Sequence, residues 1–160
     1  MSLSPDPMSL EVPLRVLYVE DDRVCALLMA QAMAAVPGID LVIAEDGVEA
    51  LAAVAGGWAP DLLVLDGHLP DTSGHALLAQ LRALPGLLQV PACMCSADDL
   101  AEDHRRAADA GFDHYWTKPV AASLVLACLQ ALKAPPRPPP CGVRPPEGEE
   151  KQVGRPGVCF

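Results

Sequence analysis

Pro60-Asp61-Leu62-Leu63-Val64-Leu65-Asp66-Gly67-His68-Leu69-Pro70-Asp71 is the stretch whose reading decides the fold. Four continuous apolar residues bounded by turn-forming ones read as a short strand buried on both faces, the kind found in parallel sheets. Asp66 sits where that strand stops, and Gly67 and Pro70 turn the chain away at once. In open α/β folds that edge of the sheet is where ligands and chemistry collect. Taken alone, Asp66 is equally a loop acid or a helix cap.

Working outward, the same pattern repeats. Leu14-Arg15-Val16-Leu17-Tyr18-Val19 is a first β-rich run, ending at Glu20-Asp21-Asp22. Asp40-Leu41-Val42-Ile43-Ala44 is a second, Val90-Pro91-Ala92-Cys93-Met94-Cys95 a fourth, and Phe112-Asp113-His114-Tyr115-Trp116 a fifth. Between them, periodicity and stop signals predict helices over residues 23–36, 48–55, about 72–84, 98–110 and 120–133. Val24, Leu27, Leu28 and Ala35 are expected on the apolar face of the first, and Leu77, Leu81 and Leu84 on that of the third, which Thr72-Ser73 can cap. The fourth has only Leu100, Ala107 and Ala108, so it is expected to be the least firmly packed, with Gly111 as its C-cap. Leu124, Cys128 and Ala131 line the fifth. Five strands alternating with five helices imply right-handed crossovers and a parallel sheet covered on both faces.

Composition narrows the function. A chain of 160 residues is expected to fold as one domain over residues 14–133. Residues 1–13 read as a flexible lead, and the Pro/Gly-rich residues 134–160 as a disordered tail that buries too little to offset its ordering entropy. A formal net charge of −10 with scattered Lys and Arg argues against a nucleic-acid surface. No apolar run approaches the roughly 18 residues of a membrane span, and no secretory signal opens the chain, so a cytoplasmic location is expected. The six cysteines show no CxxC pair; Cys93 and Cys95 share one face of a buried strand and read as small core residues.

The loops after the strands bring Glu20, Asp21, Asp22, Asp66, Ser96 and Lys118 to one edge. Three carboxylates about 4 Å apart repel by about 4 kcal/mol per pair at an effective dielectric near 20. A domain with about 10 kcal/mol of stability cannot carry that unrelieved. A divalent cation relieves it, and an all-oxygen site suits Mg²⁺. An Asp beside such an ion, a lysine and a hydroxyl can attack phosphorus, the charge of the transferred group being spread over those partners. The chemistry expected is phosphoryl transfer to Asp66.

These residues also match a family. Leu17-Tyr18-Val19-Glu20-Asp21-Asp22, Leu65-Asp66-Gly67-His68-Leu69-Pro70 with Gly74, Cys95-Ser96-Ala97 and Tyr115-Trp116-Thr117-Lys118-Pro119 together resemble the receiver domain of two-component response regulators. The resemblance implies a doubly wound, flavodoxin-like sheet of strand order 2-1-3-4-5. It makes Asp66 the phosphoacceptor, with Glu20, Asp21, Asp66 and the backbone carbonyl of His68 holding Mg²⁺. Asp22 is then an outer residue or a helix cap. Ser96 and Tyr115 become the switch pair, Lys118 the phosphoryl-pairing lysine before a cis proline, and His68 and Asp98 the rim positions that tune dephosphorylation. His75, His104 and His114 read as surface or helix residues, and Trp116 as core. The implied partners are a sensor histidine kinase or histidine phosphotransfer protein and an unknown downstream protein, met through the face of the fourth helix, fifth strand and fifth helix. A homodimer is compatible with this.

The chain is then not an enzyme beyond self-phosphotransfer and autodephosphorylation, and is either a stand-alone receiver or one excised from a hybrid kinase. Two alternatives use the same residues. An aspartyl-phosphate hydrolase would want a second Asp two positions after Asp66, where His68 stands. A binding module would treat Asp66 and its Asn variant alike.

Overall fold

The computed structural model describes residues 13–133; the lead over residues 1–12 and the tail over residues 134–160 lie outside the described residues. Strands β1 (Leu14–Val19), β2 (Ile39–Ala44), β3 (Leu62–Asp66), β4 (Ala92–Ser96) and β5 (His114–Thr117) alternate with helices α1 (Arg23–Ala34), α2 (Gly47–Ala55), α3 (Gly74–Arg82), α4 (Ala101–Ala110) and α5 (Ala122–Lys133). The strands form one parallel sheet of order β2-β1-β3-β4-β5. No described helix is long and apolar enough to cross a membrane.

The unbroken apolar run of β3 has its explanation in the layers. Leu63 and Leu65 join Leu17, Val19, Leu77, Leu78, Leu81, Met94 and Phe112 on one face of the sheet. Leu62 and Val64 join Val16, Tyr18, Cys93, Cys95, Trp116, Val125 and Leu129 on the other. Both sides of the pleat are covered, so alternation is absent. Truncating one of these leucines to alanine costs about 2–5 kcal/mol.

Two helices bury faces other than those the periodicity favours. α1 buries Met29 and Met33, with Ala26 and Val36 packed beside them, and leaves Val24, Leu27 and Leu28 more than half exposed. Both sets satisfy i, i+3, i+4 spacing, and contact with the sheet chooses between them. α5 buries Val125 and Leu129 while Leu124 is exposed, a rotation of one residue from the expected line. In α4 only Ala107 is buried, and Leu100 precedes the helix and is exposed, in keeping with a thin core there. Val90 and Pro91 lie outside β4, and Phe112 and Asp113 outside β5.

Helix starts follow from side-chain caps. Asp22 accepts from the backbone N–H groups of Val24 at 2.8 Å and Cys25 at 3.0 Å, and Asp46 from Glu49 at 2.8 Å. Ser73 accepts from Ala76 at 3.1 Å. Gly111, at φ 101°, ends α4 in the left-handed conformation that glycine adopts without a Cβ clash. Ser73→Ala, losing one cap, is expected to destabilise the domain by about 1 kcal/mol in urea unfolding.

Candidate functional site

Strand register assembles the site. Val19 is level with Leu65, Asp66 with Cys95, and Ser96 with Thr117. Glu20, Asp66, Ser96 and Lys118 therefore leave the sheet at one height, along the carboxyl edge. Backbone bonds hold the exits, from Gly67 N–H to the Cys95 carbonyl at 2.9 Å and from Lys118 N–H to the Ser96 carbonyl at 2.8 Å. Lys118 precedes Pro119 through a cis peptide bond.

Glu20 and Asp66 are buried, which is unusual for carboxylates, and Ser96 is buried with them. Carboxylate oxygens of Glu20, Asp21 and Asp66 lie within 4.8 Å of one another. Lys118 starts two strands from Asp66, about 10 Å at ordinary strand spacing, and its long stem spans the gap. Its Nζ donates to Glu20 Oε2 at 2.5 Å and lies 3.2 Å from Asp66 Oδ2. Glu20 further accepts from the Tyr18 hydroxyl at 3.1 Å and from the Asp22 backbone N–H at 3.1 Å. Burial holds the Glu20 carboxyl above its usual range, against the pull of Lys118. Burial also works to lower the Lys118 ammonium, but Glu20 and Asp66 more than reverse it, leaving it above its usual value.

Asp66 Oδ1 accepts from the His68 backbone N–H at 3.1 Å. The side chains of His68 and Asp98 meet at 3.1 Å, both exposed, and so bridge the rim above Asp66. Ser96 Oγ accepts from Asp98 N–H at 3.1 Å, while the Tyr115 hydroxyl donates to the Asp98 carbonyl at 2.5 Å. Ser96 and Tyr115 thus hold the same short segment after β4. Asp22 is a cap of α1, and Trp116 is core.

Several contributors were not anticipated. Tyr18 lies in mid-strand among apolar residues, and nothing in its neighbours signals that its hydroxyl serves Glu20. Asp71 accepts from the backbone N–H groups of Gly47 at 3.0 Å and Val48 at 3.1 Å, which holds its carboxyl below the usual range. The loop that follows Asp66 is thereby fastened to the start of α2. His104, on α4, stacks on Tyr115 with ring centroids 4.0 Å apart and contacts Asp99 at 2.7 Å.

Beside Asp66 lies a cleft of about 210 Å³ lined in part by His68, His75, Met94, Ser96, Arg106 and Tyr115. His75 is half-buried there, its Nε2 without a hydrogen-bond partner among the described residues. Burial, then Arg106 and His68, holds the imidazole below its ordinary value of 6.5. The unfolded chain therefore takes up this proton first on acidification, and stability falls as pH drops below about 6.5. His114, also held low by burial, acts with the same sign. His75→Gln is expected to flatten part of that pH slope in urea titrations, leaving the His114 part.

Fold and site together define a doubly wound α/β domain with an acid–lysine centre at its carboxyl edge. Residues 16–130 match the family model described as "Response regulator receiver domain". The probable transcriptional regulatory protein TcrX of Mycobacterium tuberculosis is 40% identical over 121 residues, covering 75% of this chain and 50% of that protein. The chain spans about half the length of the curated relatives it matches first, since PrrA of Mycobacterium bovis is covered to 49%. Among solved structures, the receiver domain of the Francisella response regulator 1452 superposes with a TM-score of 0.65 at 30% identity, covering 74% of this chain and 94% of that one. The phosphorylated cyanobacterial phytochrome response regulator RcpA gives 0.64 at 26%, covering 75% and 91%. The chain belongs to the response regulator receiver domain family of two-component systems. Receivers of this family accept phosphoryl groups and bind Mg²⁺ at an acidic pocket.

Proposed function

We propose that residues 14–133 form a receiver that takes a phosphoryl group onto Asp66 from a phosphohistidine partner and changes its binding face in response. The observation that carries this reading is the setting of Asp66: buried, 3.2 Å from the Lys118 ammonium, and clustered with Glu20 and Asp21. One carboxylate oxygen attacks phosphorus, a P–O bond forms, and the P–N bond to the donor imidazole breaks with its electron pair going to nitrogen. No general base is needed, because the nucleophile is already an anion. Lys118 and the Ser96 hydroxyl face the charge of the transferred group.

The carboxylate set fits a hard cation. Glu20, Asp21 and Asp66 offer oxygen donors only, and the Lys118 ammonium offsets only part of their negative charge. These three side chains and the carbonyl of His68 would hold Mg²⁺, which neutralises charge on carboxylate and phosphoryl oxygens.

Ser96 and Tyr115 form the switch in this reading. Drawing Ser96 Oγ toward a phosphoryl oxygen removes its bond from Asp98 N–H, and Tyr115, bonded to the same residue, follows. The readout is the α4–β5–α5 face, where α4 buries a single side chain. His68 and Asp98, joined across the rim, control access of water to the acyl phosphate and hence its lifetime. The donor, a histidine kinase or phosphotransfer protein, docks where the exposed Val24, Leu27 and Leu28 of α1 border the acidic cluster. In this proposal the domain works in the cytoplasm, where such donors present their phosphohistidine.

The test is incubation with acetyl phosphate and Mg²⁺, followed by intact mass. One phosphate adduct that hydroxylamine removes is expected, and an unchanged mass would sink the reading. Release of phosphate from small monophosphates, with no kinase present, would favour a hydrolase instead.

A further inference from the structure

On the face of β4 that packs with Val16, Tyr18 and Val125, three other ligand-bearing residues converge. Cys93 in β4 stands level with His114 in β5, and Cys128 reaches them from α5. The two sulfurs and one imidazole nitrogen lie within 4.8 Å of one another. Any three atoms so spaced share a point within about 2.8 Å of all of them, and Zn–S and Zn–N bonds run about 2.0–2.3 Å. Closing by about 0.5–0.8 Å, within the reach of side-chain rotation, brings all three to bonding distance.

Cys93 is fully buried, whereas His114 and Cys128 are half-buried, so the site has a closed floor and a side open to solvent. Cys93 and Cys128 already pair thiol to thiol, and the His114 imidazole stands against them. An imidazole tucked against two thiols is a poor apolar packing element, but a fitting ligand. Thiolate and imidazole donors select borderline and soft cations over Mg²⁺. We propose that Cys93, His114 and Cys128 bind one thiophilic closed-shell cation, Zn²⁺ or Cu⁺, which ties α5 to β4 and β5.

Binding releases the two thiol protons to solvent and involves no oxidation or reduction. Three protein ligands suffice for Cu⁺, and Zn²⁺ would take a water as its fourth. The ion would join three elements by bonds stronger than the packing that now joins them. Two of those elements, β5 and α5, belong to the face assigned above to signalling, but the site stands independently of any role for Asp66.

The test uses the full chain, stripped of metal in a non-thiol reductant, with Mg²⁺ in excess to saturate the carboxylates. Titrated Co²⁺ is expected to produce one equivalent of near-ultraviolet thiolate-to-cobalt charge transfer, which an oxygen-only site does not give, and Zn²⁺ is expected to bleach it. Cys128→Ser and Cys93→Ser should abolish the band, while the combined Cys25→Ser, Cys141→Ser and Cys159→Ser variant should keep it. In the unmodified chain, Zn²⁺ or Cu⁺ should slow alkylation of Cys128 at least tenfold by peptide mass mapping, a readout that does not depend on a variant folding. The ion protecting at the lower free concentration is the occupant. Absence of the band, its survival in Cys128→Ser, or unprotected Cys128 with both ions would overturn the proposal.

Discussion

Asp66→Asn is expected to take up no phosphate from acetyl phosphate and Mg²⁺ under conditions in which the unsubstituted domain is fully labelled. The amide is close to isosteric, so the bond from His68 N–H can persist. What disappears is the anionic nucleophile, and a neutral amide oxygen does not form a stable acyl phosphate. The variant should remain folded, because it also removes a carboxylate that lies within 4.8 Å of Glu20 and Asp21. Lys118 keeps its bond to Glu20 and is not left without a carboxylate, so relief of like-charge repulsion can offset the loss of its contact with Asp66. Intact mass and urea unfolding, run side by side, check both halves. A residual adduct would relocate the acceptor, and Asp21 would be the first residue to examine.

Gly74→Ala is the second large effect, and it comes from backbone alone. A Cβ at position 74 would lie 2.5 Å from the Asp66 carbonyl oxygen, 3.2 Å from its carbon and 3.3 Å from Gly67 Cα. Every one of these atoms belongs to the main chain, so no side chain can swing aside. Either α3 retreats or the end of β3 shifts. Overpacking of this type costs about 1–3 kcal/mol. A displacement of about 1 Å at a reacting group can lower a rate about 100-fold. We therefore expect a lower urea midpoint at unchanged slope, together with phosphorylation slowed by about two orders of magnitude. Ser73→Ala, one residue earlier, separates the two consequences, since it loses stability without moving Asp66 and should be labelled at the normal rate.

The chain displays its sheet openly and its helix faces poorly, for different physical reasons. A strand such as Leu62–Asp66 is apolar on both sides because both sides are covered, and no competing pattern fits. α1 carries apolar residues around most of its circumference, so Val24, Leu27 and Leu28 satisfy helical spacing as well as Met29 and Met33 do. Only docking on the sheet distinguishes them. Glu20, Asp66, Ser96 and Lys118 were legible because each stands at or just past the carboxyl end of a strand, and parallel register brings strand ends level. The contact between His68 and Asp98 was foreshadowed by their matching offsets of two residues. The Tyr18 hydroxyl, the Asp71 bonds and the meeting of Cys93, His114 and Cys128 were not. Each depends on side chains from distant segments, and none leaves a local spacing to read.

The bonds from Gly47 and Val48 to Asp71 make the two flanks of the Asp66 edge unequal. On the α2 side, the loop after β3 is riveted to a neighbouring helix by two charge-assisted bonds. On the α4 side, the segment after β4 is held by the Ser96, Tyr115 and Thr117 hydroxyls and by His104, and it leads into a helix with one buried alanine. A push delivered at Asp66 thus meets α2, seated in the core by Ala50, Leu51 and Val54, on one side and the more yielding α4, seated by Ala107, on the other. The domain has a built-in direction, and a partner that reads it gains most by gripping the yielding side.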